Sequence, residues 1–359
     1  MLEPDDLPLS TRPYAEIPPR PQEQMLLDLL PDLAGERILC TSAGLAQFAF
    51  AAANTRPAAQ VTVHYLDAYH AEHTRRVMEP VPPNLTIACS ADFPESEVDL
   101  VALPLSARGE AELTRDVLQI GHARLAIGGQ LVATTDNPRD QWLHEEMQKL
   151  FERVSRRPTD EGVAYIARKT RELKKLKNFA CQFVFRDEDN LIQALSRPGV
   201  FAHRRVDPGA RQLLSVMEVL AGDRVLDIGC GAGVLSLAAA LRAADVTVHS
   251  VDSSPRAVEC TLRGAELNDL SGIVTAAVNP SGDYLADGPF QLVVANPPYY
   301  ANFRIAELFV RGGHAALETG GQILMVTKLP DWYAEHMPQL FEDVEIVETK
   351  DYYVVTGRK

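Results

Sequence analysis

The chain has 359 residues, 46% of them hydrophobic, which is enough for two ordinary globular domains and too apolar for a disordered polymer. A formal net charge of -14 argues against indiscriminate nucleic-acid binding, so an RNA substrate would have to be met by a local basic surface. The N-terminus shows no basic-then-apolar leader, no apolar run is long enough for a bilayer, and the five scattered cysteines form no C-x-x-C pair, so the expectation is a soluble cytoplasmic protein, without a disulfide framework or a metal site.

The first thirty or so residues carry Pro4, Pro8, Pro13, Pro18, Pro19 and Pro21, and read as an extended arm running into a short helix over Glu23 to Leu33. From Arg37 onward, short runs rich in Val, Ile and Leu alternate with longer segments at helical spacing, the pattern of a parallel sheet wrapped by helices.

That alternation happens twice. Leu33-Ala34-Gly35-Glu36-Arg37-Ile38-Leu39 matches Leu220-Ala221-Gly222-Asp223-Arg224-Val225-Leu226, and Val61-Thr62-Val63-His64-Tyr65-Leu66-Asp67 matches Val246-Thr247-Val248-His249-Ser250-Val251-Asp252. Val101-Ala102-Leu103-Pro104 falls where the second half has Val294-Ala295-Asn296-Pro297, and Gly128-Gly129-Gln130-Leu131-Val132 pairs with Gly320-Gly321-Gln322-Ile323-Leu324. Four matches in one order at nearly constant offset indicate an internal duplication. The predicted fold is therefore α/β, two tandem Rossmann-like domains with doubly wound, mostly parallel sheets: a first domain over 1–175, a linker over 176–197 and a second domain over 198–359.

Between the halves, Arg153 to Arg186 carries Arg156, Arg157, Arg168, Lys169, Arg171, Lys174, Lys175 and Lys177, followed by Phe179, Phe183 and Phe185. This reads either as an RNA-facing linker or helix or as a solvated face that keeps the surface wet.

Chemistry concentrates in the second half. Val225-Leu226-Asp227-Ile228-Gly229-Cys230-Gly231-Ala232-Gly233-Val234-Leu235 is an apolar strand ending in an acid, then a glycine turn, then helix formers. Such a turn lets the backbone approach a ligand, and by itself leaves NAD and S-adenosylmethionine both open. The acid at 227 tips the reading toward the second, whose amino-acid end is cationic where a dinucleotide offers pyrophosphate. Asp252 ends the second strand where a carboxylate can hold a ribose diol, beside Ser253 and Ser254, either of which can cap the following helix. A third strand, Ile273 to Val278, ends at Asn279, which can meet an adenine edge or simply make a turn before Pro280.

The sharpest signal is Gln291-Leu292-Val293-Val294-Ala295-Asn296-Pro297-Pro298-Tyr299. The Asn296 amide oxygen and a carbonyl presented by the stiff Pro297-Pro298 pair can accept both hydrogens of a planar amine, and Tyr299 offers a face for a flat substrate to stack on.

These residues resemble class I S-adenosylmethionine-dependent methyltransferases of the N-P-P-[FY] branch. Arg197-Pro198-Gly199-Val200-Phe201 followed by Val206-Asp207-Pro208-Gly209-Ala210 is similar to the bacterial ribosomal RNA guanine-N2 methyltransferases, in which a degenerate methyltransferase-like domain precedes an active one. The resemblance implies that Asp227, Gly229, Gly231 and Gly233 shape the methionine pocket, that Asp252 with Ser253 holds the ribose and Asn279 the adenine region, and that Phe201 lies near the mouth. It implies that Asn296, Pro297, Pro298 and Tyr299 receive a guanine amine of ribosomal RNA or a ribosomal subunit, with S-adenosylmethionine as the cofactor and no metal; the sequence leaves the oligomeric state open, a monomer being favoured.

The first half departs at the decisive places: Cys40-Thr41-Ser42-Ala43-Gly44 replaces the Asp-Ile-Gly-Cys-Gly turn and Leu103-Pro104-Leu105 the Asn-Pro-Pro, so it is expected neither to bind cofactor nor to catalyse. Tyr299 and its continuation Tyr300-Ala301-Asn302-Phe303 differ from the family's usual phenylalanine and sequel. A protein glutamine N-methyltransferase is the alternative enzyme, and a non-catalytic RNA-binding assembly factor the alternative of another class.

Overall fold

The computed structural model describes residues 14–284, 288–298 and 303–359. The chain divides between Phe179 and Ala180 into two units, each with its own core.

In the first unit, α1 (Pro21–Leu29) leads into β1 (Arg37–Cys40), α2 (Gln47–Thr55), β2 (Gln60–Tyr65), α3 (Ala68–Val77), β3 (Leu85–Cys89), β4 (Val98–Leu105), α4 (Ala111–Arg124), β5 (Leu125–Thr135), α5 (Trp142–Gln148), β6 (Val154–Pro158) and β7 (Val163–Arg168). The sheet order is β3-β2-β1-β4-β5-β7-β6, parallel through β5 and antiparallel beyond it.

The second unit opens with a hairpin, β8 (Cys181–Asp187) and β9 (Asn190–Ser196). It continues through α6 (Pro208–Val216), β10 (Arg224–Ile228), α7 (Val234–Arg242), β11 (Thr247–Asp252), α8 (Pro255–Leu267), β12 (Val274–Val278), β13 (Phe290–Ala295), α9 (Arg304–Ala316), β14 (Leu317–Thr327), α10 (Pro330–His336), β15 (Glu342–Thr349) and β16 (Tyr352–Arg358). Its sheet order, β12-β11-β10-β13-β14-β16-β15, repeats that of the first unit position for position.

The central strands β10 and β13 are apolar at nearly every position because both faces are covered. Val225, Leu292 and Val294 enter the core on one face, while Leu226, Ile228, Val293 and Ala295 enter the core on the other. The register pairs Ile228 with Ala295, so the residues that follow, Gly229 and Asn296, leave adjacent strands side by side at their carboxyl ends. Open α/β sheets bind ligands at that edge, where the strand order reverses.

Two expectations need correction. The span assigned to a linker, 176–197, is mostly the β8–β9 hairpin, whose Phe185, Ile192 and Ala194 are buried in the core of the second unit with Leu213 and Leu237. The basic stretch forms no helix: Arg156 and Arg157 lie exposed on the edge strand β6, Arg168 ends β7, and Lys174 and Lys175 lie on irregular chain. Lys169 is not a surface cation at all; it is buried and donates to the Leu125 carbonyl (2.7 Å) while pairing with Glu172 (2.8 Å). Among the described residues no helix is long and apolar enough to cross a membrane.

Candidate active site of the second unit

The loop between β10 and α7 is built on three glycines with positive φ: Gly229 (77°), Gly231 (54°) and Gly233 (75°). This left-handed backbone strains any residue with a Cβ. Space is short as well, since a Cβ on Gly231 would lie 2.1 Å from the Phe201 carbonyl oxygen. That oxygen accepts from the Ala232 amide (3.2 Å), so the chain at Phe201 lies across the loop while its ring stays 64% exposed. The same segment is anchored by the buried Arg256, which donates to the Pro198 carbonyl (2.8 Å), and by the Arg197–Glu259 ion pair (2.6 Å).

Asp227 is fully buried beneath the loop. Its Oδ2 accepts from the amide (3.1 Å) and hydroxyl (2.5 Å) of Ser236 in the first turns of α7, and its Oδ1 has no partner. Burial pushes this carboxyl up from 3.8 to about 7, with the Ser236 hydroxyl pulling it back and the nearby Asp252 charge adding to the rise. Asp252, at the end of β11, is half-buried; its Oδ2 accepts from the Gly231 amide (3.0 Å) and its Oδ1 from the Ser254 amide (2.8 Å). The glycine loop and the second-strand acid are thus one hydrogen-bonded unit. Ser253 follows it half-buried, and it is Ser254, with Pro255 at the first helical position, that caps α8.

Asn279 sits just past β12, its amide nitrogen on the Asp252 carbonyl (2.9 Å). Its side chain closes its own turn: Oδ1 accepts from the Ser281 amide (3.0 Å) and the Gly282 amide (3.3 Å), and Nδ2 donates to the Asp283 carbonyl (2.9 Å). The turn-forming alternative describes this side chain.

Asn296 leaves β13 half-buried, followed by the buried Pro297 and half-buried Pro298. Its Nδ2 donates to Asp207 Oδ2 (2.9 Å), the same oxygen that accepts from the Ala210 amide (3.1 Å) at the start of α6. Tyr299, together with Tyr300, Ala301 and Asn302, lies outside the described residues. Beyond them Phe303 stacks on Trp332, ring centroids 5.2 Å apart and nearly coplanar at 4°.

The edge therefore gathers Gly229, Gly231, Gly233, Asp252, the Phe201 segment and Asn296-Pro297-Pro298. Sequence reasoning missed Asp207 and Ser236. Asp207 stood only as part of the family-like Val206-Asp207-Pro208-Gly209-Ala210 segment, with no role of its own, and Ser236 as one more small residue in an apolar helix.

The corresponding edge of the first unit is closed by its own chain. Glu23 of α1 is fully buried; its Oε2 accepts from the Ala43 amide (3.0 Å) and Ser42 hydroxyl (3.3 Å), and its Oε1 from the Phe48 amide (3.2 Å). The loop amides at the head of α2 are committed to this carboxylate, and buried Leu103 stands where the second unit has Asn296.

Fold and site define a tandem duplication of the class I methyltransferase architecture, with the cofactor-type loop intact only in the second copy. Residues 192–357 match the model of the methyltransferase small domain family. Over 169 residues the chain is 37% identical to a ribosomal RNA small subunit methyltransferase C of Pectobacterium atrosepticum, covering 45% of this chain and 48% of that protein. Over 159 residues it is 33% identical to one of Pseudomonas putida, covering 43% and 47%. The matched region spans about half the length of these curated relatives. The fold of the whole chain is similar to that of a T. thermophilus 16S rRNA N2 G1207 methyltransferase solved with AdoMet and guanosine, with a TM-score of 0.76, 22% identity, and coverage of 93% of this chain and 92% of that one.

Proposed function

We propose that the second unit transfers a methyl group from S-adenosylmethionine to guanine N2 in small-subunit ribosomal RNA. The observation that carries this reading is the side-by-side exit of the glycine loop and Asn296-Pro297-Pro298 from the paired strands β10 and β13, which brings a cofactor cradle and an amine-accepting amide to one edge. The names of the relatives supply the small-subunit ribosomal RNA, and the name of the structural neighbour, an N2 G1207 methyltransferase solved with guanosine, supplies the base.

The residues fit the cofactor. Three left-handed glycines let the loop turn tightly against Phe309, Phe201 and Thr261, Asp252 is the proposed ribose partner, and the buried Asp227 keeps one oxygen unpartnered. When bound, the sulfonium supplies an already activated methyl group, so the protein's task is placement. Asn296 would accept a hydrogen from the guanine amine and hold its nitrogen in line, and Pro297-Pro298 would fix the neighbouring carbonyl. Tyr299 is the proposed stacking face for the base. The first unit, its loop amides already taken by Glu23, is assigned a supporting role without cofactor.

The test is transfer of labelled methyl to small ribosomal subunits from a strain lacking this protein, beside an Asn296→Ala variant, with RNA and protein counted separately. Asn296-dependent label on guanine is expected. Label in protein would turn the reading to the glutamine enzyme, and cofactor binding with no transfer to either would remove the substrate class.

A further inference from the structure

We infer that Asp207 is a positioning residue that fixes which end of the Asn296 amide faces the substrate, and so makes the site an acceptor of amines. The inference rests on the methyl-transfer reading and adds the residue that sets the polarity of its site.

A carboxamide has a donor end and an acceptor end related by a half-turn, and only its surroundings choose between them. Here Asn296 Nδ2 lies 2.9 Å from a carboxylate oxygen of Asp207. An ionised carboxylate only accepts, so the reverse rotamer would set Oδ1 lone pairs against it. With one Nδ2 hydrogen committed to Asp207 the rotamer is fixed, and Oδ1 is the acceptor the amide presents to the hydrogen of a ligand amine.

Asp207 is itself held. The same Oδ2 accepts from the Ala210 amide (3.1 Å) as the N-cap of α6, and Pro208 occupies the first helical position. Gly209 leaves room for the pair: a Cβ there would sit 2.8 Å from Asp207 Oδ2, 3.4 Å from Asn296 Oδ1 and 3.2 Å from the Tyr352 ring. The Asp207-Pro208-Gly209 turn thus joins a helix cap to an active-site amide 89 residues away.

Capping and positioning separate by substitution. Serine and asparagine both cap helices about as well as aspartate. Asparagine at 207 can also place its Oδ1 where the Asp207 oxygen now receives both hydrogens, whereas serine is too short to reach Asn296. Asp207→Asn is expected to keep most of the turnover, and Asp207→Ser to lose about a hundredfold in kcat, the order expected for one misdirected transition-state hydrogen bond. Melting temperature and AdoMet affinity should stay at the wild-type level in both. In an Asn296→Ala background the Asp207→Ser change should have no further effect, because its partner is gone. The Asn296 side-chain amide resonances, assigned by their loss in Asn296→Ala, should move in Asp207→Ser.

A serine variant with undiminished kcat, or one whose loss persists unchanged without Asn296, overturns the inference. A wild-type protein that transfers no methyl to RNA overturns the proposed function instead. In that case the amide resonances still decide whether Asp207 orients Asn296.

Discussion

Arg242 and Asp187 meet in a two-pronged ion pair almost wholly out of water: Nε donates to Oδ2 at 2.8 Å and Nη2 to Oδ1 at 2.7 Å, with both side chains 6% exposed. Arg242 also donates to the carbonyls of Leu214 and Met217, so the end of α7 ties the β8–β9 hairpin and the end of α6 together. Without Asp187 the buried Arg242 is left to the exposed Glu188 at 3.9 Å, which does not replace a two-pronged pair. Asp187→Ala is expected to destabilise the second unit by about 3–5 kcal/mol, seen as an earlier melting transition, with the first unit's transition unmoved. A shift no larger than that of an exposed-site control would show that the hairpin is dispensable to the fold.

Gly231 meets two constraints at once, a φ of 54° and a Cβ position 2.1 Å from the Phe201 carbonyl oxygen. In Gly231→Ala the Phe201 segment must lift off the loop, breaking the Ala232–Phe201 hydrogen bond. The expected result is at least a tenfold weaker AdoMet affinity by calorimetry, about 1.4 kcal/mol or more. Unchanged affinity would mean that the cofactor does not use this loop.

The duplication was legible because a doubly wound sheet imposes hydrophobic runs at fixed places, and Arg37-Ile38-Leu39 against Arg224-Val225-Leu226 records the same first strand twice. The glycine loop and Asn296-Pro297-Pro298 were legible because backbone conformation and stiffness restrict the residue types that can stand there. The hairpin was overlooked because the apolar run Phe183-Val184-Phe185 shows no polar alternation and the basic residues before it suggested solvent. Asp207 could not be paired with Asn296 from sequence at all: the contact spans 89 residues and exists only because α6, packed against β14 and β16, brings its N-cap beside the residue that follows β13.

Glu23 fills the edge of the first unit that corresponds to the glycine-loop edge of the second. Its carboxylate satisfies the amides of Ala43 and Phe48 and the Ser42 hydroxyl, and burial raises its pKa above the usual 4.5 against the pull of those donors. Glu23→Ala would leave buried donors without an acceptor, at a cost of about 2–3 kcal/mol to the first unit. It would not restore binding, because Leu39-Cys40-Thr41-Ser42 carries no acid or glycine equivalent to Asp227 and Gly229. Calorimetry is expected to give one AdoMet site per chain in both proteins; two sites in the variant would show that Glu23 alone closes the first copy.

Asp227 makes the second unit's stability depend on pH in an unusual direction. Its carboxyl titrates near 7 in the folded protein against an ordinary value of 3.8, so between those values the folded state holds a proton that the unfolded state has released. The stability this group contributes is complete below the unfolded value and is lost as pH rises through about 7, with a slope of at most about 1.4 kcal/mol per pH unit. Most carboxylates, lowered by ion pairs, give the opposite slope. Asp227→Asn cannot ionise and keeps an acceptor for Ser236, so the difference in melting temperature between wild type and variant should move in the variant's favour from pH 5 to pH 8. A constant difference across that range would mean that Asp227 is already ionised at pH 5, and that the glycine loop supplies a neutralising contact even without ligand.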